Sequence, residues 1–233
     1  MDKKYEGTDL QSMNNASNYY KWIFKEFEPF FGNECAEIGA GTGTFSKLLL
    51  SSNIKSLKTY EPSFDMYKIL KKEIGQNEKA TVINAFFDGG DKILDTVFYI
   101  NVLEHVEDDK RELQKVFESL KTNGRLCLFV PALPFLYSNF DKSIGHFRRY
   151  IKKPLESMLK EIGFKIEKSK YFDFLGIIPW YFVFVLGKCI MQESNVTLYD
   201  KLVVPIEKKI ESFLPPLIGK NLLIVAKKEQ GAT

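Results

Sequence analysis

Residues 37–43 read Glu-Ile-Gly-Ala-Gly-Thr-Gly, and no other stretch limits the fold as tightly. An apolar run ends there, three glycines turn the backbone, and Phe45, Leu48 and Leu49 follow at helical spacing. Glycine tolerates the positive φ and close backbone approach that a tight strand-to-helix turn requires. A helix starting at such a turn points unpaired N–H groups outward, which suits a nucleotide-like ligand. A dinucleotide site wants G-x-G-x-x-G. Gly39 and Gly41 fit that spacing, but its third place is Thr44, and the glycine falls one position early at Gly43.

The downstream order is that of an open α/β sheet. Residues 57–61 form a short strand ending in Glu61, stopped by Pro62. That acid lies about twenty residues past the glycines, the separation of a ribose-binding carboxylate in nucleotide-binding folds. A third strand, 80–84, leads into Ala85, Phe86 and Phe87. A fourth, 96–100, runs into Asn101-Val102-Leu103-Glu104-His105. Helical spacing marks Tyr20, Ile23, Phe24 and Phe27, then Met66, Ile69 and Leu70, then Leu113, Val116, Phe117 and Leu120. Asp108 or Asp109 is the expected N-cap of the last of these. Strand 126–130, a helix bearing Leu155, Met158, Leu159 and Ile162, and strands 164–170 and 222–226 complete the alternation. Such alternation predicts a mostly parallel sheet covered by helices on both faces.

The order E-x-G-x-G-x-G followed by Asn-Val-Leu-Glu-His resembles the class I S-adenosylmethionine-dependent methyltransferases, over nearly the whole chain. The resemblance implies a Rossmann-like sheet with an antiparallel last strand, one domain, and S-adenosylmethionine as cofactor with S-adenosylhomocysteine as product. It implies that Glu37, Gly39, Ala40, Gly41 and Gly43 take the methionine tail and ribose, and that Glu61 with Pro62 binds the ribose. Asn101, Val102 and Leu103 would line the sulfonium side, with His105 near the methyl group. Many relatives meet the adenine amino group with an Asp. None stands at 84–86 here, so Ala85 and Phe86 are expected to offer backbone and apolar contacts, with Asp88 as a more distant candidate.

Residues 135–150 read Phe-Leu-Tyr-Ser-Asn-Phe-Asp-Lys-Ser-Ile-Gly-His-Phe-Arg-Arg-Tyr. They follow the fifth strand, on the sheet edge where ligands of open α/β folds bind. The run resembles the GHxRRY segment of a bacterial subgroup of the type 11/12 methyltransferases, often seen with polyprenol- or glycan-related genes. Asn18-Tyr19-Tyr20-Lys21-Trp22 resembles that subgroup too, with Lys21 where an Arg is usual and its bidentate fork lost. His146 is the candidate base, oriented by Asp141, because a neutral imidazole titrates near the working pH. Tyr19, Lys21, Arg148, Arg149 and Tyr150 are candidate acceptor-side groups, the arginines for a phosphate or carboxylate. The bland readings are a loop staple for His146 and Asp141, a solvated basic turn for Arg148 and Arg149, and a packing or loop-anchoring post for Tyr150.

Residues 171–220 exceed a minimal domain of this kind. Their stretch 174–187 is uncharged and aromatic, but its fourteen residues fall short of the roughly twenty needed to span a bilayer. Pro179 would break or kink a helix there. Three readings stay open: a lid over the acceptor, a dip into the membrane interface with Trp180 and Tyr181 at headgroup level, or an oligomer contact. Basic residues at Arg148, Arg149, Lys152 and Lys153 would assist docking on anionic lipid. A second amphipathic stretch, 198–214, ends at Pro215-Pro216 and could complete the lid.

Composition excludes little but consistently. The 233 residues suffice for one full α/β core. A net charge of +3 is too small to argue for nucleic acid. Cys35, Cys127 and Cys189 form no zinc spacing and no disulfide framework, so no metal is expected. The polar start lacks a secretory h-region, which predicts a cytoplasmic protein, with the inner membrane face open to it. The expected activity is methyl transfer to a small or lipid/glycan-linked acceptor. The rival is a non-catalytic cofactor-binding protein on a membrane or partner, and a dehydrogenase comes third.

Overall fold

The computed structural model describes residues 16–90, 93–187 and 193–229. Seven strands form one sheet: β1 (Glu34–Ile38), β2 (Ser56–Tyr60), β3 (Ala80–Ile83), β4 (Leu94–Ile100), β5 (Leu120–Pro131), β6 (Phe164–Phe172) and β7 (Asn221–Lys228). Their order is β3-β2-β1-β4-β5-β7-β6. β1 pairs in parallel with β2 and β4, β2 with β3, and β4 with β5. β7 runs antiparallel between β5 and β6. All seven strands and the inverted last strand follow the sequence expectation.

The helices are α1 (Ser17–Phe27), α2 (Thr44–Leu50), α3 (Phe64–Ile74), α4 (Asp109–Ser119), α5 (Asn139–Ser143), α6 (Lys152–Ile162), α7 (Ile177–Trp180), α8 (Glu193–Leu202) and α9 (Val204–Phe213). Side chains alternate across a strand, so each central strand feeds two cores. Phe98, Cys127 and Phe129 join Trp22, Phe27 and Leu49 on one face. Val97, Tyr99, Leu126 and Leu128 join Leu113, Leu155 and Leu159 on the other. Burial on both sides is what makes these strands read as near-continuous apolar runs.

Two local expectations shift. Leu120 is the first residue of β5, not part of the α4 face, and pairs with Leu94 before the register jumps to Thr96 and Arg125. Gly124 lies in that irregularity, where an added Cβ would meet the Lys121 carbonyl oxygen at 2.9 Å. On α3 the buried stripe is Met66, Leu70 and Ile74, while Ile69 is 40% exposed. Asp108 caps α4, accepting the Arg111 N–H. Cys35 and Cys127 are free and buried, and Cys189 lies outside the described residues.

Between β6 and β7 the chain forms α7, a π-helical turn Tyr181–Leu186, α8 and α9. Pro179 sits in the first turn of α7, where its missing N–H costs no helical bond. No helix among the described residues is long and apolar enough to cross a membrane. A polar knot fastens this segment to the domain. Asp173, buried and at φ 62°, accepts Lys220 Nζ at 2.6 Å and the hydroxyls of Tyr19 and Tyr199. Glu211 accepts the backbone N–H groups of Asp173 and Phe174, and Glu207 that of Leu175. Asp200, from α8, accepts the N–H groups of Asn18 and Tyr19 and so caps α1 across the domain.

Candidate functional site

Because β1 to β4 run parallel, their carboxyl ends bring the glycine turn, Glu61, residues 84–86 and Asn101 to one edge of the sheet. The three glycines of the turn have φ of 65°, 56° and 88°. Gly39 also lies against Val102, where a Cβ would come within 2.6 Å of Cγ2. Ala40 is buried, and its N–H and that of Gly39 donate to the Tyr60 carbonyl. Glu61 crosses to the same turn: its carboxylate accepts Gly41 N–H and Ser63 N–H, each at 2.8 Å. Burial raises its pKa against those two bonds. Glu37 is buried behind the turn with Ser46 as donor, and burial pushes its carboxyl up to about 8.

Asn84 ties the third strand end to the second, donating to the carbonyls of Glu61 and Pro62. Pro62 and Ala85 are exposed, and Phe86 is 80% exposed beside them in sequence, while Phe87 is core. This edge offers a glycine backbone that a ligand can approach closely, a buried carboxylate and an exposed flat ring. Those features fit a zwitterionic amino-acid tail, a ribose and an adenine.

Beyond β4 the chain turns sharply. Asn101 holds φ 54°, a position where a side chain is uncommon. Leu103 is fully buried in the core, so among the 101–103 trio only Asn101 reaches the adjoining cavity. That cavity has a volume of about 570 Å³. Its floor holds Asn101, Glu104, His146 and Arg149, and its walls are Tyr19, Lys220, Trp180, Phe184, Tyr199 and neighbouring apolar groups of 176–184 and 195–204. Such a volume is that of a small-molecule site.

The 135–150 segment supplies the polar pole. Ser138 and Asp141 form a capping box at α5, and the same fully buried Asp141 sits 3.0 Å from His146 Nδ1. Arg149 places Nε and Nη2 on Asp141 at 2.9 and 2.7 Å. Burial raises the Asp141 pKa, but the His146 hydrogen bond and the Arg149 charge outweigh it and hold the carboxyl below its usual range. His146 Nε2 then faces Glu104 Oε1 at 3.7 Å. Burial pushes the Glu104 carboxyl up to about 7 against His146 and Arg149. His105 packs edge-on against the His146 ring with centroids 4.6 Å apart, and burial, with the second imidazole beside it, lowers its pKa to about 3.

Other candidates take structural posts. Arg149 is spent on Asp141, donates to the Ala132 carbonyl and lies 4.6 Å over the Trp180 ring. Arg148 sits away from the cavity, held by Asp109 at 2.8 Å and by the Glu107 carbonyl. Tyr150 is buried between Leu103 O and Asp109. Lys21 is exposed on α1 and outside the cavity lining. Tyr19 lines the cavity, with its hydroxyl engaged by Asp173 and Asn221. Lys220 and Glu104 are not marked as acceptor-side groups by the sequence, and Trp180, expected there only as a headgroup-level ring, lines the cavity. Lys220 comes from the insertion side, where no local motif marks it.

A model of the methyltransferase domain matches residues 25–169. Among solved structures, an S-adenosylmethionine-dependent methyltransferase from Archaeoglobus fulgidus is 21% identical, with TM-score 0.60, covering 91% of this chain and 94% of that one. The complex of the Haloferax volcanii Trm112 activator with its methyltransferase matches at 13% identity and TM-score 0.67, covering 97% and 95%. Haemonchus contortus phosphoethanolamine N-methyltransferase 2, bound to phosphomonomethylethanolamine and S-adenosylhomocysteine, matches at 14% and 0.67, covering 98% of this chain and 58% of that one. No curated protein matches the chain. The matched domain, the sheet order with its inverted last strand and the edge built from Gly39–Gly43 and Glu61 together make the chain a member of the methyltransferase-domain family, a class I S-adenosylmethionine-dependent fold with that cofactor.

Proposed function

We propose that the protein transfers a methyl group from S-adenosylmethionine to an acceptor seated in the cavity lined by residues of 176–184 and 195–204. The observation that carries this reading is the shared wall. Asn101 directly follows β4 beside the cofactor edge and also lines the cavity, whose floor holds His146 and Glu104. The bound cofactor supplies an electrophilic methyl carbon on a sulfonium, so the protein's task is positioning and proton removal. Gly39, Gly41 and Gly43 keep the backbone clear for the methionine tail, and Glu61 takes the ribose hydroxyls. Ala85 and Phe86 receive the adenine.

Asp141 holds His146 by Nδ1 and leaves Nε2, which faces Glu104 across 3.7 Å, outside that bond, the arrangement of an oriented imidazole base in a residue that lines the cavity. His146 accepts the acceptor's proton as the acceptor atom takes the methyl carbon and the C–S bond breaks. His105 packs against His146 and fixes its ring plane.

The cavity is walled by aromatic and aliphatic groups, which favours a lipid-linked or otherwise hydrophobic acceptor over a free ion. Exposed apolar side chains of the insertion support contact with a membrane surface: Ile178 is 61%, Phe182 62% and Phe213 81% exposed. In this reading the insertion is a lid whose inner side shapes the acceptor site and whose outer side meets lipid.

The test is transfer of tritium from methyl-labelled S-adenosylmethionine into lipid and polar extracts, with the wild type and His146→Ala side by side. Label entering an extractable lipid with the wild type and dropping at least tenfold in the variant supports the reading. Undiminished label with His146→Ala removes it.

A further inference from the structure

We propose that Glu104, His105 and His146 form a binding site for a divalent transition cation, open to the acceptor cavity. The proposal rests on the acceptor-cavity reading given above and deepens it.

One potential ligand atom from each residue lies within 4.8 Å of the others. Tetrahedral zinc with bonds of about 2.1 Å sets its ligand atoms roughly 3.4 Å apart. The Glu104 Oε1 to His146 Nε2 separation of 3.7 Å is already close to that. The two edges that involve His105 lie within 4.8 Å.

The second observation is the state of Glu104. It is fully buried, and neither carboxylate oxygen accepts a hydrogen bond from another residue among those described. A buried carboxylate without partners is costly, and a cation is one of the few things that offsets it. The Arg149 charge nearby does not serve, because its fork is closed on Asp141.

The third observation is the surroundings. Metal-bound imidazoles usually donate their other N–H to a carboxylate or a backbone carbonyl, which fixes the ring and raises its basicity. His146 Nδ1 has Asp141 at 3.0 Å, and His105 donates to the Gly145 backbone. Both histidines therefore carry the outer partner a ligand needs.

Two imidazoles and one carboxylate suit zinc, manganese or ferrous iron better than magnesium or calcium. The remaining coordination positions would face the cavity, where an acceptor oxygen can bind. A cation lowers the pKa of an oxygen it binds. In the cation-loaded protein His146 Nε2 is a ligand and the acceptor's proton leaves from the cation-bound oxygen to solvent, whereas in the cation-free protein His146 takes that proton.

The experiment is calorimetric titration of the chelator-dialysed full chain with Zn2+, Mn2+ and Mg2+, alongside S-adenosylhomocysteine. We expect one Zn2+ or Mn2+ per chain at micromolar Kd or tighter, with Mg2+ at least tenfold weaker. Glu104→Gln and His146→Ala should each weaken Zn2+ at least tenfold while leaving S-adenosylhomocysteine binding intact. Co2+ gives a readout on the wild type alone: a visible d–d band in the dialysed protein that Zn2+ displaces. No saturable binding, or unchanged affinity in both variants, overturns the site. If S-adenosylhomocysteine binds and the cation does not, only this inference falls. If neither binds, the methyl-transfer reading falls with it.

Discussion

Asp141 Oδ1 stands 3.0 Å from His146 Nδ1, across the short loop that ends α5. The same oxygen takes both Nε and Nη2 of Arg149, so one buried carboxylate fixes the histidine and neutralises the arginine. His146→Ala should therefore lower turnover at least tenfold and leave S-adenosylhomocysteine affinity within about twofold. Steady-state kinetics beside calorimetry checks this, and equal losses in both would point to a folding defect.

Arg149 was a candidate for holding an anionic acceptor, and its geometry gives it another task. Removing one partner of a buried ion pair leaves the other uncompensated, typically at about 3–5 kcal/mol. Arg149→Ala should lose stability of that order in urea denaturation, and Arg149→Lys should recover only part, since the fork is lost. Unchanged stability with a raised KM would instead restore Arg149 as an acceptor ligand.

Glu61→Ala should weaken S-adenosylhomocysteine at least tenfold. The carboxylate both holds the Gly41 N–H in place and is the proposed ribose partner. Affinity unchanged in calorimetry would refute the ribose role.

Glu37 predicts a pH trend. Its folded pKa is raised to about 8 by burial, so between an unfolded value of about 4.5 and that point the folded state binds more protons than the unfolded one. Its contribution to stability is fully present below pH ~4.5, falls by up to about 1.4 kcal/mol per pH unit as pH rises, and levels off above pH ~8. Glu37→Gln keeps a neutral partner for Ser46 and should flatten this slope in urea denaturation of the ligand-free protein from pH 5 to 9. Identical slopes for the two proteins would contradict it.

What could be read from the sequence was local. Strands buried on both faces show as apolar runs, so 96–100 and 126–130 were plain, and Gly39–Gly43 with Glu61 followed from spacing along the chain. The uses of the polar groups were not legible, because they depend on partners far away in sequence. Asp200 caps α1 from 182 residues beyond Asn18, and Asp173 gathers Tyr19, Tyr199 and Lys220. Arg148 and Arg149 are adjacent and alike in sequence, yet one pairs with Asp109 beyond the cavity and the other is buried on Asp141. The 174–187 run could not disclose which of its residues turn inward. Trp180 does, with its Nε1 on the Leu136 carbonyl, while Phe182 faces outward.

The most direct measurement is calorimetric titration of the purified protein with S-adenosylhomocysteine, with oxidised and reduced nicotinamide dinucleotides as controls. The account predicts one S-adenosylhomocysteine per chain at micromolar affinity and no heat from either dinucleotide. Binding of a dinucleotide, or no binding of S-adenosylhomocysteine, would contradict the assignment of the edge formed by Gly39–Gly43 and Glu61.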